Sequence, residues 1–112
     1  MSGLCISLAL MLSVLSLNVA GLRSKNKIED FFLNMDYDIM VLQETKWDTE
    51  MELRIKRIWV GSIYVSNGVD RCCGVAILIK NNDLFKNIKE IHKDKFGRLL
   101  ILDLDYKNRS IT

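Results

Sequence analysis

Two short apolar runs in this chain each lead to a polar side chain that can do chemistry. The run Ser16–Ser24 reads S-L-N-V-A-G-L-R-S and carries Asn18, and the run Val41–Lys46 reads V-L-Q-E-T-K and carries Glu44. The Asn18 amide can both donate and accept hydrogen bonds, and the Glu44 carboxylate offers the oxygen ligands that Mg²⁺ prefers. An amide and a carboxylate at the ends of two neighbouring strands are the groups from which a metal-assisted phosphodiester chemistry could be built.

The segments around these residues predict a β-α-β unit that would position them. Val14–Val19 reads as a buried strand, and Lys25–Asn34 carries apolar residues at helical spacing. The unbroken apolar run in Ile39–Gln43 is typical of a strand that is buried on both faces. Strands joined in this way lie parallel and close together, so we expect Asn18 and Glu44 to meet at one edge of the sheet.

The rest of the chain predicts one short helix and several more strands. The sequence favours no metal-binding or catalytic role for His92, Asp103 and Asp105. We interpret them as solvent-exposed strand residues, with the two aspartates on an edge strand. The predicted elements are a helix at Asp48–Arg57, a hairpin of Ile58–Val65 with Gly74–Lys80, a weak strand at Phe85–Ile91, and a strand at Arg98–Tyr106.

Composition limits the classes of protein to which the chain can belong. With 112 residues it fits one domain, and its net charge of +2 is only mildly favourable for a polyanionic partner. The odd number of cysteines (Cys5, Cys72 and Cys73) and the lack of a C-x-x-C pair argue against a disulfide framework and a zinc site. On a strand, Cys72 and Cys73 would point to opposite faces. These features favour a reducing compartment.

The runs around Asn18 and Glu44, with three later segments, resemble the endonuclease/exonuclease/phosphatase family and occur in that family's order. They resemble most closely the N-terminal endonuclease domain of LINE-type non-LTR retrotransposons. The resemblance covers nearly the whole chain after about residue 12, and its most specific part is the N-x-x-G-L motif paired with L-Q-E-T. The matching segments are Ser16–Ser24, Asp38–Lys46, Trp59–Gly61, Cys73–Ile79 and Phe96–Leu104.

The resemblance implies an α+β fold, the four-layer α/β sandwich of the DNase I-like type, truncated here to about its first half. Residues 12–112 would form this partial domain, and residues 1–11 an apolar N-terminal extension. Half of a sandwich would leave one apolar sheet face uncovered, so we expect an exposed apolar patch on the predicted strands and aggregation or molten behaviour in solution.

The resemblance also implies the roles of the site residues. Glu44 would be the metal-binding carboxylate for Mg²⁺, and Asn18 would organise the site and contact the phosphate or a catalytic carboxylate. Arg23 and Lys25, after the first strand, and Arg71, in the loop before Gly74, would contact DNA phosphates.

The implied function is that of a fragment of a magnesium-dependent DNA endonuclease domain, of the retrotransposon type that nicks target DNA. The family's later tyrosine, G-D-x-N and Asp-His motifs are absent, so this chain is expected to be inactive as it stands. The alternatives are a non-catalytic remnant that binds nucleic acid or protein weakly, and the abasic-site repair nuclease or exonuclease branch of the same family.

The resemblance implies DNA as the partner, with a reverse transcriptase domain in the same polyprotein if a full-length gene exists. It implies no small-molecule cofactor and no membrane association, and it places the protein inside the cell, in the nucleus. A signal peptide is the alternative interpretation of the uncharged first 22 residues, but no Lys or Arg precedes the apolar run.

Overall fold

The computed structural model of the chain describes residues 2–8, 12–21, 27, 30–32, 36–69, 72–80, 84–107 and 109–112. Backbone at residues 27 and 30–32 is helical, so the described part of the predicted first helix is confirmed, and the rest of that helix lies outside the described residues. The elements are β1 (Ser2–Leu8), β2 (Leu12–Asn18), β3 (Ile39–Gln43), α1 (Thr49–Ile58), β4 (Gly61–Ser66), β5 (Val75–Lys80), β6 (Phe85–Lys93), β7 (Leu100–Tyr106) and β8 (Arg109–Ile111).

Among the described residues the strands form two sheets. The larger has the order β1-β2-β3-β5-β4, and the smaller has the order β6-β7-β8. Strands β2 and β3 pair in parallel, as the sequence predicts, whereas β1–β2, β3–β5 and β4–β5 are antiparallel. The segment that the sequence analysis sets apart as an extension therefore contributes strand β1, paired along β2.

The larger sheet is apolar on both faces, which is why its central strands read as continuous apolar runs. In β3, Met40 and Leu42 face one way, while Ile39 and Val41 face the other. The first face packs against the helices, and the second packs against the smaller sheet. The described residues thus form three layers: helices, the larger sheet and the smaller sheet. This is a mixed α/β fold in which sheets dominate.

Helix α1 has a well-defined start and covers the first face with its buried side chains. Asp48 caps its start, where the carboxylate accepts the Met51 N–H at 2.9 Å, and Glu50 and Glu52 in the first turn complement the helix dipole. Met51 and Ile55 are the buried residues of the helix. The helix continues through Ile58, which the sequence analysis assigned to a strand.

The smaller sheet covers the second face, so the expectation of an uncovered sheet face is wrong. Leu102, Leu104 and Tyr106 of β7, together with Phe85, pack onto Leu12, Ile39 and Ile79 of the larger sheet. The covering is incomplete, because an apolar cavity of about 310 Å³ lies between the two sheets. The large apolar side chains that are exposed lie off these central strands: Leu53, Val60, Val69, Leu84, Ile91, Phe96 and Leu99.

Two further expectations about the second half of the chain have different outcomes. His92 is exposed on β6, as predicted. Strand β7, which carries Asp103 and Asp105, is the central strand of the smaller sheet and not an edge strand, because β8 pairs with its free side.

In the described part of the chain, no helix is long and apolar enough to span a bilayer.

Candidate functional site

The parallel pairing of β2 and β3 brings Asn18 and Glu44 to the same edge of the larger sheet. Asn18 is the last residue of β2 and lies opposite Gln43, the last residue of β3. The ladder continues past both strand ends, because the Val19 N–H donates to the Gln43 carbonyl at 2.9 Å and the Gly21 N–H donates to the Glu44 carbonyl at 2.7 Å. We call the segments 18–21, 44–46 and 72–74 the loop edge.

A direct hydrogen bond joins the two predicted site residues. Asn18 Nδ2 donates to Glu44 Oε2 at 2.6 Å, and Asn18 Oδ1 accepts the Ala20 N–H at 2.9 Å. The backbone of the turn therefore fixes the amide, and the amide in turn positions the carboxylate. The prediction that these side chains meet at the carboxyl ends of adjacent strands is confirmed; their functional role stays a prediction.

The backbone of the loop edge is strained. Six described residues other than glycine have a positive φ, and four of them lie here: Ala20 (50°), Glu44 (54°), Lys46 (55°) and Cys73 (67°). Each such conformation costs about 1–3 kcal/mol and persists only where the surrounding structure enforces it. Strain of this kind clusters at functional sites, so its concentration beside the Asn18–Glu44 pair makes this edge the candidate functional site.

Contacts with the segment before β5 enforce this conformation. The Thr45 N–H donates to the Gly74 carbonyl at 3.2 Å, and the Lys46 N–H donates to the Cys73 carbonyl at 2.8 Å. Gly74 has a φ of +102°, and a Cβ at this position would collide with Thr45 Oγ1, so the position requires glycine. Trp47 directly follows segment 44–46 in the sequence, and its side chain is completely buried, so it anchors that segment to the core.

Basic side chains at this edge come from two distant parts of the sequence. Lys46 is exposed, and its side chain lies against Gly21, where a Cβ would approach Lys46 Cδ to 3.1 Å. Arg98 is exposed and close enough to Cys73 to oppose the rise in the pKa of that thiol. Lys46 adjoins the L-Q-E-T motif, but no sequence signal links Arg98 to it, because Arg98 follows β6 in the other sheet. Sequence analysis missed both residues.

Glu44 suits a hydrated Mg²⁺ ion as a single carboxylate ligand. Its side chain is exposed, Oε2 is oriented by Asn18, and Oε1 accepts no hydrogen bond from any described residue. Mg²⁺ keeps several waters and is commonly held by one or two carboxylates together with substrate phosphates. The described residues contain no group of three or more His, Cys, Asp or Glu side chains that could hold a metal. The loop edge therefore offers one carboxylate, and a Mg²⁺ ion held there would take its remaining ligands from water and phosphate.

The predicted phosphate contacts stay predictions. Arg23, Lys25 and Arg71, the candidate phosphate contacts, lie outside the described residues.

Comparison with protein-family models finds no family that matches this chain. Function is therefore inferred from the residues and geometry of the loop edge.

Proposed function

We propose that this chain carries the amide–carboxylate part of a magnesium-dependent DNA endonuclease site of the endonuclease/exonuclease/phosphatase type that its sequence resembles, within that family's four-layer sandwich. The observation that supports the proposal best is the 2.6 Å hydrogen bond between Asn18 and Glu44 at the ends of two parallel strands. A surface glutamate needs no such partner, whereas a metal-binding carboxylate works best when its orientation is fixed.

Each residue of the loop edge has a distinct role in this proposal. Glu44 holds Mg²⁺, which when bound neutralises negative charge on phosphoryl oxygens. Asn18 fixes the Glu44 carboxylate without adding charge that would repel phosphate. Lys46 and Arg98 supply positive charge to the same edge and hold the DNA backbone.

The proposed chemistry stops at binding for this chain by itself. The Asp-His pair that the resemblance assigns to activation of water is absent, and the only histidine, His92, is exposed on β6 in the other sheet. Removal of a general base lowers a rate by about 10²–10⁴-fold. We therefore propose that the chain binds Mg²⁺ and DNA at the loop edge and does not cleave DNA at an appreciable rate.

Metal binding tests the role of Glu44. Titration with Mg²⁺, followed by the amide resonances of segment 44–46, should perturb these signals in the original chain and not in Glu44→Gln. Glu50→Gln is the matched control, because Glu50 is an exposed glutamate on α1 whose only ion pair with a described residue is a long 3.9 Å contact with Arg54. Equal responses of the two variants would refute Glu44 as the metal ligand.

DNA binding tests the role of Lys46. Lys46→Gln should weaken binding of a labelled duplex about equally for all sequences and lower the salt slope by about 1, as loss of one phosphate contact does. The control is Lys86→Gln, an exposed lysine on β6 away from the loop edge. DNA binding that is independent of both Mg²⁺ and Glu44 would instead support the alternative of a non-catalytic nucleic-acid-binding remnant.

Magnesium-dependent nicking of plasmid by the pure chain, lost in Glu44→Gln, would contradict the proposed inactivity.

A further inference from the structure

Cys72 and Cys73 bring their side chains together, although they are neighbours in sequence. Their sulfur atoms lie 2.9 Å apart, and both thiols are free. The expectation that they point to opposite faces of a strand is wrong, because β5 begins only at Val75 and Cys73 has a φ of +67°. Cys72 is exposed and Cys73 is half-buried, so the pair can be reached from solvent.

We propose that Cys72 and Cys73 form a reversible dithiol–disulfide site whose oxidant is a low-molecular-weight disulfide, and that ring closure displaces the segment that carries Glu44. The proposal does not depend on the endonuclease hypothesis. It rests on the sulfur separation, on the exposure of the pair, and on the backbone hydrogen bonds that connect the pair to the loop edge.

The reaction proceeds by two thiol–disulfide exchanges. The Cys72 thiolate attacks one sulfur of the small disulfide, which breaks its S–S bond and releases the first small thiolate. The Cys73 thiolate then attacks Cys72 Sγ, which breaks the mixed disulfide and releases the second. The protein dithiol loses two electrons, the small disulfide gains them, and the two protons of the protein thiols end on the released thiolates.

The structure favours Cys72 as the first nucleophile. The hydrogen bond with Cys72 raises the pKa of the Cys73 thiol, and burial acts in the same direction, against the weaker opposing effect of Arg98. Cys73 therefore keeps its proton more readily than an ordinary cysteine. Its side chain is also less exposed than that of Cys72. It suits the second, intramolecular step, in which the short distance to Cys72 compensates for a smaller fraction of thiolate.

The disulfide should be easy to reduce again. Consecutive Cα atoms lie only about 3.8 Å apart, which is less than the roughly 4.4–6.8 Å that a disulfide usually spans. A strained, exposed disulfide has a more oxidising potential than a structural one, as befits a reversible modification. Closing the ring must also change the backbone at Cys73, whose carbonyl accepts the Lys46 N–H, and at Gly74, whose carbonyl accepts the Thr45 N–H.

Oxidised glutathione is the probe for the chemical step. Trypsin cleaves after Arg71 and Lys80, so one peptide contains Cys72 and Cys73 without Cys5, and the original chain can be used. After treatment of the folded chain, we expect this peptide to lose the mass of two hydrogen atoms and to carry no glutathionyl group, and reduced glutathione should reverse the change. In Cys73→Ser, the peptide should instead keep one glutathionyl group.

The matched control is the same chain in denaturant, where nothing holds the sulfur atoms together. Equal ring closure in the folded and denatured chains, or a folded chain that accumulates glutathionyl adducts without ring closure, would overturn the proposal. The coupling has its own measurement: oxidation should accelerate hydrogen exchange of the Thr45 and Lys46 amides and leave the amides of α1 unchanged. Unaltered exchange at both residues in the oxidised chain would overturn the displacement of the Glu44 segment.

Discussion

The two faces of the larger sheet are covered in different ways. The helix-covered face contains Met40, Leu42, Ala76 and Leu78, all of which are completely buried. On the opposite face, Val14, Val41 and Ile77 are only half-buried and, together with residues of β7 and β8, line an open apolar cavity of about 310 Å³. Both faces are apolar, so the difference arises from what packs against them and not from hydrophobicity.

The difference in packing shows which face contributes more to the stability of the molecule. Close packing gives each buried side chain many dispersion contacts, and a cavity removes those contacts from the residues that line it. Substitutions on the helix-covered face should therefore destabilise the fold strongly. On the sheet-covered face, truncation of a side chain should cost less stability, and a larger side chain should increase it. The loop edge lies at the end of both faces, and its strained backbone depends on the well-packed one through the buried side chain of Trp47.

The largest expected effect comes from truncating adjacent residues of β5 that face opposite ways. Leu78→Ala should lower the free energy of unfolding by about 2–5 kcal/mol, because it opens a cavity in a close-packed region. Ile77→Ala should cost clearly less, because Ile77 is half-buried and already lines a cavity. Urea unfolding of both variants measures the difference. If Ile77→Ala were as costly as Leu78→Ala, the two faces would be equally well packed.

Adding volume should have opposite signs on the two faces. Ala76→Val should destabilise by about 1–3 kcal/mol, because it overpacks a position without free space. Val41→Ile extends a side chain into the cavity between the sheets and should stabilise by about 0.5–2 kcal/mol. The midpoints of thermal unfolding should move in opposite directions. A loss of stability in Val41→Ile would show that the cavity cannot accommodate one more methylene group.

The smallest expected effect belongs to an ion pair outside both faces. Lys80 Nζ lies 2.6 Å from Asp36 Oδ1, and this hydrogen bond raises the pKa of Lys80 above its ordinary value of 10.5. Since the pKa is raised on folding, the pair stabilises the fold fully below pH 10.5, and this contribution is lost as the pH rises through the raised value. Both side chains are largely exposed, so the contribution at neutral pH should be below about 1 kcal/mol.

Asp36→Asn tests this pair. The variant should unfold at slightly lower urea concentration than the original chain at neutral pH, and the two should converge above the raised pKa of Lys80. A difference that persists unchanged in strong alkali would show that Asp36 acts through something other than the charge of Lys80.

Local patterns were sufficient to predict four of the five strands of the larger sheet, whereas β1 was assigned to an N-terminal extension. Ile39–Gln43 was predicted with the observed bounds, and the parallel pairing of β2 with β3 followed from a single intervening helix. The end of α1 was less predictable: Ile58 and Trp59 are β-formers by type, but Ile58 completes the helix and the Trp59 indole N–H donates to the Ile79 carbonyl at 3.2 Å. That bond joins residues 20 positions apart, so no local pattern contains it.

Local sequence patterns were enough to predict the meeting of Asn18 and Glu44, because two parallel apolar strands end at the same edge of the sheet. The residues that surround this pair depend on tertiary packing. Cys73 lies in the loop between β4 and β5 of the larger sheet, and Arg98 lies in the loop between β6 and β7 of the smaller sheet, yet the two are close in space. The convergence of Cys72 and Cys73 depends on a positive φ at Cys73 that the residue type does not predict. The same is true of the second sheet: its strands β6 and β7 were predicted, but only packing determined that the sheet covers the larger one and leaves a cavity.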